Sequence, residues 1–507
     1  MSGTDNFVNR FLSIFSAKVL TSLTAIVSTP IIVRLLGPGG YGDYAVWLSV
    51  YSLYMIPISA GITEGVQKFV GENRGMDDWR AYVVRFYFLL SGIMVVVGVL
   101  ALLVFTRLGG AAAIFDEQFT RYFYFLTVFV FVGQFNAVTG RTVLGLGLEP
   151  ISESLKVVKK LSTIGLGIAL VVVGYGVTGM MVGHIVANAL VAVVAGFVIL
   201  QRVSIPAVLS GPEQSFPYRE LLSFNVLNIV LVLLVMSLFH VDVVMLRSFT
   251  SAETTGFYKA ALALAEYLWF VPIAFQTILL HTSSSLWADN RLATITSLSS
   301  RITRYTTLLV VLMAVGVAVL ADRFVVLYYG PVFAVSVTPL LLLLPGTIGF
   351  AIARPLQSIS QGSGRLTVLI AAVSVAAVTN VVLNALLIPR FGMNGAAVAT
   401  SIGYGSMFGL FVWAARRIGY DPLYDFRFGR IAATALVAVP FIWGLDRILN
   451  ADLLALLVVP PFGAIVYGYL AVRFGAVDVE EIVDVLDRLP GPADRIARTI
   501  ESRVPHE

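Results

Sequence analysis

The sequence contains no cysteine in its 507 residues, so it has neither a disulfide nor a thiolate metal site. Histidine is also scarce, and the four that occur lie far apart: His184, His240, His281 and His506. This spacing fits no common pattern of metal ligands, so we expect no metal and no other cofactor. His184 and His240 are expected to pack inside a helical bundle.

Charged residues make up only 12% of the chain, whereas hydrophobic residues make up 58% and the mean hydropathy is +0.89. A soluble protein is about a quarter charged, so this composition indicates a membrane protein. The net charge of +5 is interpreted as a bias of loop charges, and no nucleic-acid partner is expected. The polar start leads into a long apolar run without a small-residue cleavage site, so we expect no cleavable signal.

Long apolar runs predict a polytopic all-α protein, because a transmembrane helix needs roughly 20 apolar residues. Gly and Pro residues separate these runs, most densely between Gly37 and Gly42. The runs define about fourteen spans, namely 11–33, 44–66, 84–106, 121–143, 159–177, 179–201, 220–246, 256–280, 305–328, 333–353, 366–388, 393–415, 430–448 and 452–473.

The loop charges predict that both termini are cytoplasmic. With an inner N-terminus, the inner connections hold 19 Lys and Arg residues, among them Lys156, Lys159 and Lys160, and the outer connections hold 7. This excess is the one that the positive-inside rule requires. A missed or additional span would invert it in the second half of the chain, and no inversion occurs.

The stretch Pro30–Ala45 returns in altered form about 213 residues later, which predicts an internal duplication. Matching positions continue along both copies. The matched pairs are Arg34 and Arg247, Gly42 and Gly256, Tyr44 and Tyr258, Pro57 and Pro272, Arg141 and Arg354, and Gly176–Gly179 and Gly392–Gly395. Duplicated halves in a membrane protein are typical of transporters whose binding site lies between the repeats.

The duplication defines the expected domain organisation. An even number of spans per half keeps both halves in the same orientation, so their pseudo-two-fold axis should lie along the membrane normal. The first six-helix half is predicted over 1–205 and the second over 206–418. Two appended spans follow over 419–475, and an amphipathic cytoplasmic tail over 476–507.

Several of these motifs resemble those of the Wzx-like polysaccharide-biosynthesis flippases, in the multidrug/oligosaccharidyl-lipid/polysaccharide superfamily. They are the Leu-Gly-Pro-x-x-Tyr-Gly-x-Tyr-Ala turn at Leu36–Ala45, the segment Asp242–Tyr258, and Gly392–Thr400 entering the twelfth span. The resemblance covers roughly 1–475. It implies a non-enzymatic protein that flips a lipid-linked oligosaccharide across the cytoplasmic membrane of a prokaryote, through a cavity between its halves. It implies membrane lipids as partners, glycan-assembly enzymes as possible ones, and a monomeric state.

Four cations are candidates to bind the phosphate of the lipid carrier. Lys18 and Lys259 lie within predicted spans, where ionisable residues are functional candidates by default. Arg141 and Arg354 lie at matching inner ends of the fourth and tenth spans, and a guanidinium binds phosphate oxygens bidentately. The alternative is that Lys18 reaches the inner interface and that the two arginines are ordinary positive-inside anchors.

Two acids are candidates for ion coupling. Glu266 is the deepest carboxylate of the sequence and shares a helix face with Lys259, so the two form either a relay or a structural pair. Asp242 lies near the outer end of the seventh span, and the alternative is a pairing with Arg247. Glu64 and Lys68 have the spacing of a helix-surface ion pair.

Pro57 and Pro272 are repeat-related helix breakers and are candidate hinges for alternating access. Two other functions remain open. One is a drug or metabolite exporter of the same superfamily, which would need an acidic or aromatic cavity in place of a cationic one. The other is a polytopic glycosyltransferase or polymerase, which would need catalytic carboxylates in ordered outer segments, and no outer loop exceeds about fifteen residues.

Overall fold

The computed structural model describes residues 3–481 except 73, 212–215 and 225, and no side chains at 3–19, 22, 226–228, 277, 278, 280 and 281. This part of the chain is helical and contains no strand. Its α-helices are α1 Gly3–Gly71, α2 Trp79–Arg107, α3 Gly110–Ile114, α4 Glu117–Gly145, α5 Glu149–Leu170, α6 Gly176–Leu200, α7 Ile205–Ser210, α8 Tyr218–Ser223, α9 Val226–Phe249, α10 Ala252–Glu266, α11 Phe270–Ala288, α12 Leu292–Tyr329, α13 Val337–Gly362, α14 Leu366–Ile418, α15 Phe428–Ile448 and α16 Asp452–Arg473.

Eleven helical stretches of the described chain are long and apolar enough to cross a membrane. Three of them, Leu23–Gly71, Glu149–Leu200 and Leu366–Ile418, have 49, 52 and 53 residues. At 1.5 Å per residue each is about twice as long as a bilayer core is thick, so each supplies two spans. The described chain therefore has about fourteen spans, and the predicted all-α polytopic fold is confirmed.

Glycines with positive φ interrupt the three long stretches, because an L-residue with a side chain rarely adopts that conformation. Gly37 breaks the first with φ 66°. Gly176 and Gly392 break the other two with nearly equal angles, φ 53° and ψ −136° against φ 54° and ψ −131°. These two glycines are matched by the sequence repeat. The turn between the fifth and sixth spans thus recurs between the eleventh and twelfth.

The same two turns repeat a tight helix contact. A Cβ at Gly179 would lie 3.0 Å from the backbone of Leu170, and one at Gly395 would overlap the backbone of Leu387. Each glycine follows its turn by three residues and lets the second helix pack directly on the end of the first. The duplication is therefore visible in backbone angles and in packing.

The chain divides into two compact units. Unit 1 comprises Met1–Ala263 and Ile370–Gly403, and unit 2 comprises Leu264–Leu369 and Tyr404–Glu507. In unit 1, helices α1, α2, α4, α5 and α6 pack together around an aromatic and aliphatic core that includes Phe69, Trp79 and Tyr87. In unit 2, α12 packs against α13, α15 and α16. The predicted boundaries of the two halves stay a prediction.

Two arginines of α12 attach the appended helices α15 and α16 to this helix within unit 2. Arg304 is fully buried and binds Asp425 at 2.6 Å and also Glu481. Arg323 binds Asp446 at 2.9 Å and Asp452 at 3.1 Å. The two arginines are 19 residues apart, so the attachment points lie about 28 Å from each other along the helix.

The segment after α16 joins this attachment. Arg427 donates to Asp478 at 2.7 and 2.8 Å and to the carbonyl of Gly475 at 3.0 Å. These hydrogen bonds, and the charge of the guanidinium, hold the pKa of Asp478 below its usual range. The contact therefore stabilises the fold above the pKa of a free aspartate, near 4, and this contribution is lost as the pH falls through the lowered value. The predicted tail lies outside the described residues from 482 onwards.

Replacing Arg304 with Met should destabilise the protein by about 3–5 kcal/mol, because it leaves two carboxylates without their buried partner. Thermal unfolding in detergent measures this. Arg291→Met is the matched control, since Arg291 is exposed and lies 3.9 Å from Asp289, where an ion pair is worth about 1 kcal/mol or less. Equal unfolding temperatures for the two variants would contradict the attachment.

Candidate functional site

Repeat-related glycines bring two helices of unit 1 into backbone contact just after the Gly37 turn. A Cβ on Gly42 would overlap the carbonyl oxygen of Ala252, and a Cβ on Gly256 would overlap the carbonyl oxygen of Pro38. The contact is reciprocal, as expected for the same motif in two copies. We call this the glycine crossing of α1 and α10.

A methyl group at the glycine crossing has no space, so Gly256→Ala should lower the yield of folded protein and cost about 1–3 kcal/mol. Gly92→Ala is the matched control, because Gly92 lies in α2 with no heavy atom within 4 Å of the added Cβ. Alanine there should be neutral or stabilising by up to about 1 kcal/mol. Size-exclusion profiles and thermal unfolding of both variants check this, and a Gly256→Ala variant as stable as Gly92→Ala would refute the crossing.

A buried arginine links three helices next to the glycine crossing. Arg247 at the end of α9 is only 7% exposed and binds Asp43 of α1 at 3.0 Å and also Asp116. Asp116 caps α4 by accepting hydrogen bonds from the backbone N–H groups of Gln118 and Phe119. We call Arg247, Asp43 and Asp116 the Arg247 cluster. Its guanidinium holds one end of α1, α4 and α9 together.

Asp242 does not pair with Arg247, so that alternative from the sequence is wrong. Asp242 is fully buried and accepts hydrogen bonds from the hydroxyls of Tyr258 and Thr400, the latter at 2.9 Å. It also accepts from the backbone N–H of Val243 at 2.8 Å. Helices α9, α10 and α14 thus converge on one carboxylate inside a membrane-spanning region.

Two asparagines of α14 complete a group of oxygen atoms around Thr400. Asn380 donates to Thr400 at 3.4 Å, and Asn384 donates to the carbonyl of Asn380 at 2.9 Å. The side-chain oxygens of both asparagines are buried and have no hydrogen-bond partner among the described residues. A buried hydrogen-bond acceptor without a partner destabilises the fold, so binding of a cation or a proton donor by these oxygens would be favourable. We call Asp242, Thr400, Asn380 and Asn384 the Asp242 cluster.

Lys259 follows Tyr258 on α10 and is half-buried in unit 1. Its charge acts on Asp242 and on His240. His240 lies 3.3 Å from the hydroxyl of Ser49. The predicted cation is therefore placed within electrostatic reach of the buried carboxylate of the same unit.

The two repeat-related arginines each contact a glutamine. Arg141 in unit 1 donates to the side-chain oxygen of Gln67 at 2.7 Å, and Arg354 in unit 2 donates to that of Gln276 at 3.2 Å. Gln67 lies ten residues after Pro57, whereas Gln276 lies four residues after Pro272, so the repeat does not match the two glutamines. Each arginine is thus oriented by the helix that carries the hinge candidate of its own half.

Arg141 is also paired with an acid of α1. It binds Glu64 at 3.2 Å, and Lys68 lies 3.9 Å from Glu72, so the predicted pairing of Glu64 with Lys68 is wrong. The reason is that Glu64 lies within reach of the Arg141 guanidinium on α4.

Arg354 is surrounded by aromatic rings in unit 2. Its guanidinium lies 5.2 Å from the ring centre of Trp269 and 4.7 Å from that of Phe350, and the charge of Glu266 acts on it. Glu266 ends α10, just before a 3₁₀ turn at Tyr267–Trp269. This environment combines an anion, a cation and aromatic faces.

The 3₁₀ turn has a physical cause in Pro272, which lacks an N–H group for the carbonyl of residue 268 and clashes with it. Pro57 lies exposed within α1, where Gly37 is the position with non-helical angles. Lys18 lies on α1, but its side chain is outside the described residues. The roles of all three stay predictions.

His184 packs inside the bundle of unit 1, as the sequence indicates. Its Nε2 atom lies 2.7 Å from the hydroxyl of Tyr44, and its ring lies 5.4 Å from Phe129 and 5.9 Å from Trp47. The described residues contain no group of three or more His, Asp or Glu residues that could hold a metal ion. Tyr44 and Tyr258 are repeat-related. The hydroxyl of Tyr44 contacts the imidazole of His184, whereas that of Tyr258 donates to the carboxylate of Asp242.

About fourteen spans, glycine-broken helix pairs and charges buried within the spans define a polytopic membrane protein. A family model described as "Polysaccharide biosynthesis protein" matches residues 7–272. Because this match covers more than half of the chain, the protein belongs to the polysaccharide biosynthesis protein family.

Solved structures of the superfamily share the fold. A lipid II flippase MurJ in an inward closed conformation superposes with a TM-score of 0.74 at 12% identity, over 92% of this chain and 98% of that chain. An inward-facing multidrug resistance MATE transporter gives 0.66 at 15% identity, over 80% and 98%. A MATE structure in a bent conformation gives 0.56 at 15% identity, over 85% and 96%. Among curated proteins, none matches this chain.

Proposed function

We propose that the protein flips a lipid-linked oligosaccharide across the cytoplasmic membrane of a prokaryote by alternating access, for the assembly of a cell-surface polysaccharide or glycoprotein. The family match over 7–272, on a chain with the flippase and transporter fold, carries this proposal. The substrate is a glycan on a polyprenyl or dolichyl phosphate. We further propose that the protein acts as a monomer, with membrane lipids and glycan-assembly enzymes as partners.

Lys18, Lys259, Arg141 and Arg354 are proposed to bind the phosphate of the lipid carrier. An unpaired phosphate in a low-dielectric environment costs many kcal/mol unless cations replace its water. Two observations support the assignment. Lys259 is half-buried inside a span of unit 1, and each arginine is oriented by a hydrogen bond to a glutamine.

The Asp242 cluster is proposed to bind the coupling ion, either a proton or a monovalent cation such as Na⁺. Hard cations prefer carboxylate, hydroxyl and amide oxygens. The cluster offers one carboxylate, one hydroxyl and two amide oxygens, and the two amide oxygens lack hydrogen-bond partners among the described residues. Binding there would compete electrostatically with Lys259, which connects the ion to the proposed phosphate site. Glu266 is a second candidate, acting together with Arg354 in unit 2.

The glycine crossing and the Arg247 cluster are proposed to form the outer gate. The excess of positive loop charge supports a topology with the Gly37 turn outside and both termini in the cytoplasm. Reciprocal contact of α1 and α10 closes that end, and the ion pairs of Arg247 hold it closed. Opening requires these contacts to separate, with Pro57 and Pro272 proposed as the hinges.

A multidrug or metabolite cation antiporter is the second candidate. The buried carboxylate of Asp242 favours it, since such a group could bind a cationic cargo as well as a coupling ion. The cations Lys259, Arg141 and Arg354 argue against a cationic cargo by repulsion. The two functions therefore predict opposite charges for the transported molecule.

Depletion of the protein in its host separates these functions. The flippase predicts that a carrier-linked glycan accumulates in the inner leaflet, measured by extraction and mass spectrometry of lipids, while sensitivity to cationic dyes is unchanged. The exporter predicts the reverse pattern. A host that retains normal lipid-linked glycan after depletion would contradict the proposal.

A further inference from the structure

Helix α5 carries a face of polar and cationic residues that the proposed function does not use. At 100° per residue, eight positions of α5 fall within a sector of about 100°. They are Glu149, Ser152, Lys156, Lys159, Lys160, Thr163, Gly167 and Leu170. Ser152, Thr163 and Gly167 are buried, so this sector points into unit 1. The exposed residues Ile151, Val158 and Leu161 lie on the other side of the helix.

Lys159 and Lys160 lie within helix α5, where the sequence predicts the start of the fifth span at residue 159. The helical stretch from Glu149 to Tyr175 is about 40 Å long, and the two lysines lie about 16 Å from its start. With this stretch centred on a hydrocarbon core of about 30 Å, the two lysines would lie roughly 10 Å inside the core. Charged residues at such depth are costly and mark binding sites or pathways.

The two amines have no counter-charge among the described residues. Lys156 is bound to Glu153 at 2.6 Å, whereas neither Lys159 nor Lys160 makes an ion pair or a hydrogen bond with a described residue. The charge of Lys156 repels that of Lys159. Two adjacent unpaired ammonium groups are therefore held half-buried in a low-dielectric environment.

Polar groups of α6 face the same region. The charges of both lysines act on the imidazole of His184, which is fixed by Tyr44. Asn188, one turn further along α6, is buried and bonded to the carbonyl of His184 and to Asn136. Gly183 of α6 packs against the backbone of Thr163 and Gly167, so α5 and α6 touch about one turn after the lysines.

We propose that Lys159 and Lys160 form a second anion-binding site inside unit 1, which takes an oxyanion of the cargo headgroup. The chemistry is that of two neighbouring ammonium groups that neutralise a phosphate or a carboxylate and donate hydrogen bonds to it. The oxyanion belongs either to the carrier phosphate or to an acidic sugar of the glycan. The identity of the cargo in this inference rests on the proposed function. The binding of an anion is argued from the residues of α5 alone.

Thiol labelling tests whether the site is open to water. Because the chain has no cysteine, Lys160→Cys and Leu161→Cys each place a single thiol on sides of α5 that are about 100° apart. In proteoliposomes the anionic reagent 2-sulfonatoethyl methanethiosulfonate should label Lys160→Cys, which keeps Lys159, at least about tenfold faster than Leu161→Cys, since Leu161 lies on the apolar side of the helix. Equal labelling of both positions overturns the proposal.

Binding to purified full-length protein identifies the source of the oxyanion. A Lys159→Gln/Lys160→Gln variant should bind geranyl phosphate at least about tenfold more weakly if the carrier phosphate is the ligand, and the glucuronate disaccharide if it is the sugar. The Arg/Arg variant should restore binding, and Lys68→Gln, altered at an exposed ion pair, should bind like the parent. Unchanged affinity for both probes refutes the site. Binding without any flipping would instead refute the proposed function alone.

Discussion

Ion-dependent transport should fall by about two orders of magnitude or more in an Asp242→Asn variant. The amide keeps the size of the carboxylate and removes its charge, so a coupling cation loses its one anionic ligand in the Asp242 cluster. Loss of a buried charge partner is worth several kcal/mol, which corresponds to such a factor. Flipping rates in proteoliposomes, with Na⁺ replaced by choline at constant pH and then with pH varied at constant Na⁺, distinguish a metal cation from a proton.

Stability gives an independent readout of the same site. If Na⁺ binds the folded parent, its unfolding temperature should rise with Na⁺ concentration, because a ligand at 100 times its Kd stabilises by about 2.7 kcal/mol. Asp242→Asn should show no such rise. Asp289→Asn is the control, since Asp289 is exposed and distant from the cluster in sequence. An Asp242→Asn variant that keeps the ion dependence of the parent would remove Asp242 from the coupling site.

Flipping should be abolished in Lys18→Ala and in Lys259→Ala, with membrane insertion and abundance near those of the parent. Each lysine is proposed to neutralise the carrier phosphate, and an unneutralised phosphate adds several kcal/mol to the barrier, or at least about a hundredfold in rate. Arg should substitute better than Gln at either position, because charge is the requirement. Initial flipping rates in proteoliposomes with equal protein content measure both effects.

Lys68→Ala is the matched control for the two lysines, because Lys68 is exposed and paired with Glu72. It should flip at a rate close to that of the parent. Parent-like rates in both Lys18→Ala and Lys259→Ala would show that the phosphate is bound elsewhere. Loss of activity in Lys68→Ala as well would point to a general effect of lowered positive charge.

The fold could be predicted from the sequence because its spans and its turns are both specified by residues that are close together in the chain. Apolar runs of about 20 residues specify the spans, and glycines such as Gly176 and Gly392 specify turns through angles that other residues avoid. The internal repeat places each of these signals in both copies of the duplicated segment.

The candidate site could be predicted only in part, because its contacts join distant segments. Arg247 binds Asp43, 204 residues earlier, although Asp242 is its nearer acid in the sequence. Asn380 and Asn384 carry no charge and lie in a run of small apolar residues, so no ionisable signal marked them. Their i, i+4 spacing on the eleventh span was the signal that could have identified them.

The inward direction of the α5 lysines is visible in the periodicity of the sequence. The charge count assigns Lys156, Lys159 and Lys160 to the inner end of the fifth span. The i, i+3 and i+4 recurrence from Ser152 to Gly167 indicates in addition that the helix begins before these lysines and that they share the side of its buried residues.

Reconstitution of the purified protein with a fluorescently labelled lipid-linked oligosaccharide tests the central claim most directly. Vesicles carrying the lipid in both leaflets are treated with a membrane-impermeant quencher or glycosidase. The account predicts that nearly all of the glycan becomes accessible in vesicles that contain the parent protein, and only about half in empty vesicles or in vesicles with Lys259→Ala. An accessible fraction of about half with the parent protein, under conditions where its coupling ion is supplied, would contradict the account.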